Sequence, residues 1–93
     1  MSIIVNYSPQ SLTAEQYDAF LARERELGVK PVEGLELELC FGSGDQMKVT
    51  IVYDSMEALE RHQIAVAPIF EEMKIERSQP EVVETHNVIR RGE

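Results

Sequence analysis

Two histidines, three tyrosines, one cysteine and a glutamate set in a helical stripe are the groups of this 93-residue chain with chemistry to offer. Histidine is the side chain best suited to exchange protons near neutral pH, so His62 and His86 are each candidate catalytic acids or bases. His62 flanks the apolar stripe of a helical segment. It either points into a cleft as a proton acceptor or lies half-buried against a neighbouring helix. His86 stands beside Asn87 inside an alternating segment, where β-branched or aromatic residues are the rule. That polar pair implies a polar requirement on one sheet face: a cleft shared with Tyr7 and Tyr53, or the interior of a dimer. Tyr7, Tyr17 and Tyr53 all fall on apolar faces and read first as core, with hydroxyls that need partners when buried. A cleft with such hydroxyls has a polar handle for a ligand, and Tyr7, Tyr53, Asn87 and Phe70 are the expected lining. Glu24 interrupts an otherwise apolar helix stripe and reads as an edge residue reaching solvent, with a cleft acid as the other reading. Cys40 follows Glu36 and Glu38, carboxylates that disfavour a reactive thiolate.

Other chemistries lack their residues. A metal site could be assembled from His62, His86 and a Glu, but no His-x-x-x-His or Cys pair requires one, and no metal is expected. Gly42-Ser43-Gly44 joins two strands and opens no helix, so it is no phosphate loop, and no cofactor motif is found. A net charge of −8 argues against nucleic acid and anionic membranes as partners. No apolar run approaches the length of a membrane span, and a lone cysteine suits a reducing compartment, so a cytoplasmic location is expected.

The elements that position these groups follow from hydrophobic period. Residues 3–7 alternate, with Ile3, Val5 and Tyr7 on one face. Thr13 and Gln16 form a capping box for a helix over 13–27, whose stripe is Tyr17, Phe20, Leu21, Glu24 and Leu27. Gly28 and Pro31 end it. The alternation of 35–41 puts Leu35, Leu37, Leu39 and Phe41 together, opposite Glu36, Glu38 and Cys40. Strand 47–53 groups Met47, Val49, Ile51 and Tyr53. Keeping both apolar rows on one face requires Phe41 opposite Met47, hence a three- or five-residue loop with Gly44 at positive φ. A second helix over 56–73, with Asp54 favoured over Ser55 as N-cap, buries Leu59, Gln63, Val66, Phe70 and Met73. Pro68 predicts a kink or restart near 64–68. Residues 82–89 alternate as a last strand, and Arg90 to Glu93 read as a frayed tail.

The order βαββαβ is that of a ferredoxin-like α+β fold: a four-stranded antiparallel sheet with two helices on one face, in one domain over 1–93. The second sheet face is too apolar to be plainly solvated and too polar for a dry core. Packing it against a second copy would close a dimeric α+β barrel and remove exposed edges.

The stretch from Val49 through Tyr53, Asp54, Ala58 and Leu59 to His62, followed by Pro68-Ile69-Phe70, resembles the antibiotic-biosynthesis-monooxygenase-like branch of the dimeric α+β barrels. That branch has a strand ending in an aromatic residue, a capped helix with Ala-Leu and His, then Pro-His-Phe; Ile69 here replaces the second His. The resemblance implies a homodimer with a cleft between sheet and helices. It also implies a small-molecule-handling, cofactor-independent monooxygenase-like activity on an aromatic or polyketide-like ligand. The other reading is a non-catalytic ligand-binding or accessory dimer.

Overall fold

In the computed structural model, which describes residues 2–92, the elements run β1 (Ile3–Tyr7), α1 (Ala14–Glu26), β2 (Leu35–Phe41), β3 (Lys48–Tyr53), α2 (Met56–Met73) and β4 (Glu81–Glu84). The four strands form one antiparallel sheet in the order β2-β3-β1-β4. This is the ferredoxin-like α+β arrangement that the hydrophobic periods predict. Ile3, Val5, Val49, Ile51 and Tyr53 meet Leu12, Ala58 and Leu59 in the core.

Local chemistry explains the helix ends. The Thr13 hydroxyl accepts from Gln16 N–H at 3.1 Å while the Gln16 side chain accepts from Thr13 N–H at 2.9 Å, closing the capping box. The N-cap of α2 is Ser55 rather than Asp54: its Oγ accepts from Ala58 N–H at 3.2 Å and donates to the Asp54 carboxylate at 3.0 Å. The buried face of α2 is Ala58, Leu59, His62, Val66 and Ile69. It is centred on residues expected at its flank, and so carries His62 into the core.

Further sequence expectations are corrected. Helix α2 passes through Pro68 without a break. The carbonyl of Ile64, which Pro68 cannot serve, belongs to a residue that is 76% exposed, where water can take the donor's place. The β2–β3 loop holds an even number of residues, because Phe41 pairs with Lys48 rather than Met47. Gly44 does take positive φ, and the turn is closed by Gln46 N–H to Ser43 C=O at 3.0 Å. The third correction has the same origin. A bulge between Leu35 and Leu37 sets two β2 steps against one on β3, which reverses the faces of all that follows. Leu35 remains on the helix side, Glu38 and Cys40 join it, and Leu37, Leu39 and Phe41 emerge on the open face about half exposed, at 51%, 50% and 48%. Finally, β4 stops at Glu84. Beyond it Thr85 hydrogen-bonds Ser2 C=O through both N–H and hydroxyl, and the chain leaves the ladder. Arg90, expected to fray, contacts the Glu36 carboxylate.

Candidate functional site

Between the helices and the sheet lies a cavity of about 130 Å3. Its walls are apolar, with Leu12, Phe20, Val49, Ile51, Val66 and Phe70 prominent, and the Phe20 and Phe70 rings are tilted together at 4.9 Å. Three elements then drive polar groups into this apolar space. Strand β3 ends in Tyr53, α2 delivers His62 nine residues later, and α1 brings Glu24 from its core-facing stripe.

The three form a continuous hydrogen-bonded line. Tyr53 Oη lies 2.6 Å from His62 Nδ1, and His62 Nε2 lies 2.8 Å from Glu24 Oε2. Tyr53 is 1% exposed, Glu24 1% and His62 8%. A carboxylate only accepts, so the network assigns the hydrogen to Nε2 and leaves Nδ1 to accept from the Tyr53 hydroxyl. Burial pushes the Tyr53 pKa far above its ordinary range, and the charges of Glu38 and Glu24 push it further, so the hydroxyl is a donor at neutral pH.

A second arm extends the line. Lys30 Nζ sits 3.9 Å from Glu24 Oε1 and 3.7 Å from Glu38 Oε1, bridging the two carboxylates. Glu38 accepts from the Tyr17 hydroxyl, whose pKa is raised first by burial and then by that hydrogen bond. Tyr7, on β1, also lines the cavity, and burial raises its pKa as well. The cavity therefore has tyrosine hydroxyls held protonated, one imidazole and the two inner carboxylates of Glu24 and Glu38 paired to one another, with Glu76 a third carboxylate on its border.

Of the residues singled out from sequence, the structure brings His62, Tyr7, Tyr53 and Phe70 to this cavity. His86 and Asn87 are not in its lining: both are exposed, past the end of β4, because the ladder stops at Glu84. Glu24 is fully buried and not an edge residue. Its signal was already in the sequence, since it continues the Tyr17–Phe20 stripe. Glu38 carried no such signal, because the bulge alone turns it inward. Among the described residues no group of three or more His, Cys, Asp or Glu is placed to hold a metal ion, and no helix is long and apolar enough to cross a membrane.

No protein-family model matches this chain, and no curated protein does. Solved structures do. A protein from Bacteroides thetaiotaomicron, described provisionally as an antibiotic biosynthesis monooxygenase, aligns with a TM-score of 0.64 at 13% identity, covering 99% of this chain and 94% of its own. SnoaB, a cofactor-independent oxygenase from Streptomyces nogalater, aligns at 0.60 and 13% identity, covering 95% and 94%. MupZ from Pseudomonas fluorescens aligns at 0.63 and 18%, covering 87% and 69%. The chain thus has the ferredoxin-like α+β fold shared by structures of the antibiotic-biosynthesis-monooxygenase type.

Proposed function

We propose that the cavity binds a small aromatic or polyketide-like substrate and that the chain acts on it as a cofactor-independent monooxygenase-like enzyme. The observation that carries this reading is the buried Tyr53–His62–Glu24 line opening onto an apolar cavity. A cofactor-independent oxygenation needs a base that turns an activated methylene between aromatic rings into a carbanion. His62 supplies it: a substrate proton passes to Tyr53 Oη as the tyrosine's own proton moves to Nδ1, and Glu24 stabilises the imidazolium. The carbanion adds dioxygen, the resulting peroxide anion recovers the proton from the imidazolium, and loss of water leaves a ketone, so that CH2 and O2 give C=O and H2O. The likeness in fold to SnoaB supports the same reaction class. His86 has no part in it.

The working unit is a homodimer built through the open sheet face. Leu37, Leu39, Phe41 and Val83 lie there between 46% and 51% exposed, an apolar row that a second copy would cover. The lone Cys40 suits a cytoplasmic setting.

A non-catalytic ligand-binding dimer is the second reading, favoured by one feature: the Tyr53–His62–Glu24 line also satisfies its own polar atoms inside the core and so has a structural use. Oxygen uptake in the presence of an anthrone separates the two. Wild type accelerates uptake above the buffer rate, and His62→Gln loses at least about tenfold of that acceleration. Binding of the anthrone without acceleration by wild type would assign the chain to the second reading.

A further inference from the structure

We infer that the mouth of the cavity is a subsite for a carboxylate on the aromatic ligand, formed by Arg77 together with Tyr7, Gln63 and Ser78. This rests on the cavity being a ligand site, as proposed above. The subsite begins with a turn. Lys74 takes the left-handed conformation (φ 55°, ψ 38°) at the end of α2, with its N–H on the Phe70 and Glu71 carbonyls and Ile75 N–H on Phe70 C=O at 3.1 Å. The chain is turned back by this cap, so Ile75, Glu76, Arg77, Ser78 and Pro80 border the cavity.

Arg77 is the one basic residue in that border, and among the described residues it forms no ion pair. Its guanidinium lies 5.1 Å from the Phe70 ring centre, held over an aromatic face that also belongs to the cavity wall. Stacking leaves the N–H edge of the fork free, and that edge matches a carboxylate. Tyr7 and Gln63 border the same cavity as Arg77, and against the burial that raises the Tyr7 pKa, Gln63 and the Arg77 charge act to lower it. Beside them the Ser78 hydroxyl oxygen is buried with no hydrogen-bond partner in the protein. A buried hydroxyl without a partner is costly unless something else supplies one. A ligand oxygen at this spot would do so.

Two carboxylates lie nearby and do not cancel the site. Glu38 is engaged by Tyr17 and Lys30, and Glu76 is exposed, where water screens its charge. The interior suits an aromatic ligand: about 130 Å3 of apolar space takes one ring, and because the cavity is open at its mouth a second fused ring can extend outward. The ring enters and the carboxylate stays at the mouth, so the ligand class is an aryl carboxylate.

Calorimetric titration with 2-naphthoate and its neutral isostere 2-naphthamide tests this on the intact protein. Wild type should bind naphthoate roughly tenfold more tightly than the amide, the advantage expected of a charge-assisted hydrogen bond. Arg77→Gln should erase that preference, weakening naphthoate roughly tenfold and naphthamide by a clearly smaller factor, and Ser78→Ala should weaken naphthoate by less than Arg77→Gln does. Equal binding of the two probes by wild type would overturn the subsite, as would an Arg77→Gln that loses both equally. If neither probe binds, the cavity is no ligand site and both proposals fall. If the preference holds while oxygen uptake is absent, only the catalytic reading falls.

Discussion

Burial keeps the Tyr53 hydroxyl protonated at pH values where a tyrosine of the unfolded chain has ionised, and this links the site to stability. Its folded pKa is raised above the ordinary 10.0, so above pH 10 the native state holds a proton that the unfolded chain has lost. The contribution is fully present below pH 10 and declines as pH rises beyond it, by about 1.4 kcal/mol per pH unit while only the unfolded form ionises. Tyr53→Phe should remove one such increment from the alkaline slope, measured by urea unfolding between pH 8 and pH 11.5; an unchanged slope would contradict the buried neutral hydroxyl. At neutral pH the same variant leaves His62 Nδ1 without its donor and should cost about 1–3 kcal/mol. His86 belongs to the opposite case. It is exposed beyond β4, so His86→Ala should leave stability within about 0.5 kcal/mol of wild type and leave ligand binding unchanged. A loss of binding in that variant would return His86 to the site.

At the scale of elements, α2 tolerates its proline because of where the defect falls. Pro68 and Ile64 are both exposed, so the residue whose carbonyl loses its donor lies on the solvent side of the helix, while Val66 and Ile69 carry the packing on the other side. Pro68→Ala restores the missing hydrogen bond on a helix that is already continuous. It should raise stability by about 1–3 kcal/mol, read from the denaturant midpoint. The β2 bulge is the second decisive element. One extra residue turns Glu38 toward Tyr17 and Lys30 and sends Leu37, Leu39 and Phe41 to the open face. Gly42 follows this shift: its φ is 122°, and a Cβ there would sit 2.6 Å from the Gln46 carbonyl oxygen, so the tight return of the hairpin needs glycine.

For the whole molecule, the open sheet face is the feature on which the proposed dimer depends. The helices cover one side, and the other side is apolar along β2 and polar in the middle, where Asn6 accepts from Thr50 at 2.7 Å and donates to Glu81 at 3.2 Å. A charge placed in the apolar row should separate the proposed dimer. Leu39→Glu is expected to sediment as a monomer at micromolar concentration while wild type sediments as a dimer. A wild type that is monomeric at that concentration would end the dimer proposal.

The order of elements, the Thr13 capping box and the buried row of β3 were all legible along the chain, because periods of 2 and 3.6 and a cap at fixed spacing are local properties. Glu24 and His62 stood at recognisable positions too, on or beside helix stripes, but nothing local said that they meet, since 38 residues separate them. The side to which Glu38 and the leucines of β2 turn depended on one bulge, and a single-residue shift in pairing leaves no trace in an alternating pattern. The end of β4 was likewise invisible, because Thr85 through Ile89 alternates as well as a strand does, yet the pairing with β1 runs only as far as Ile3 and Glu84. Strand pairing and burial are decided between segments, and there the tertiary structure buried His62 and left His86 exposed.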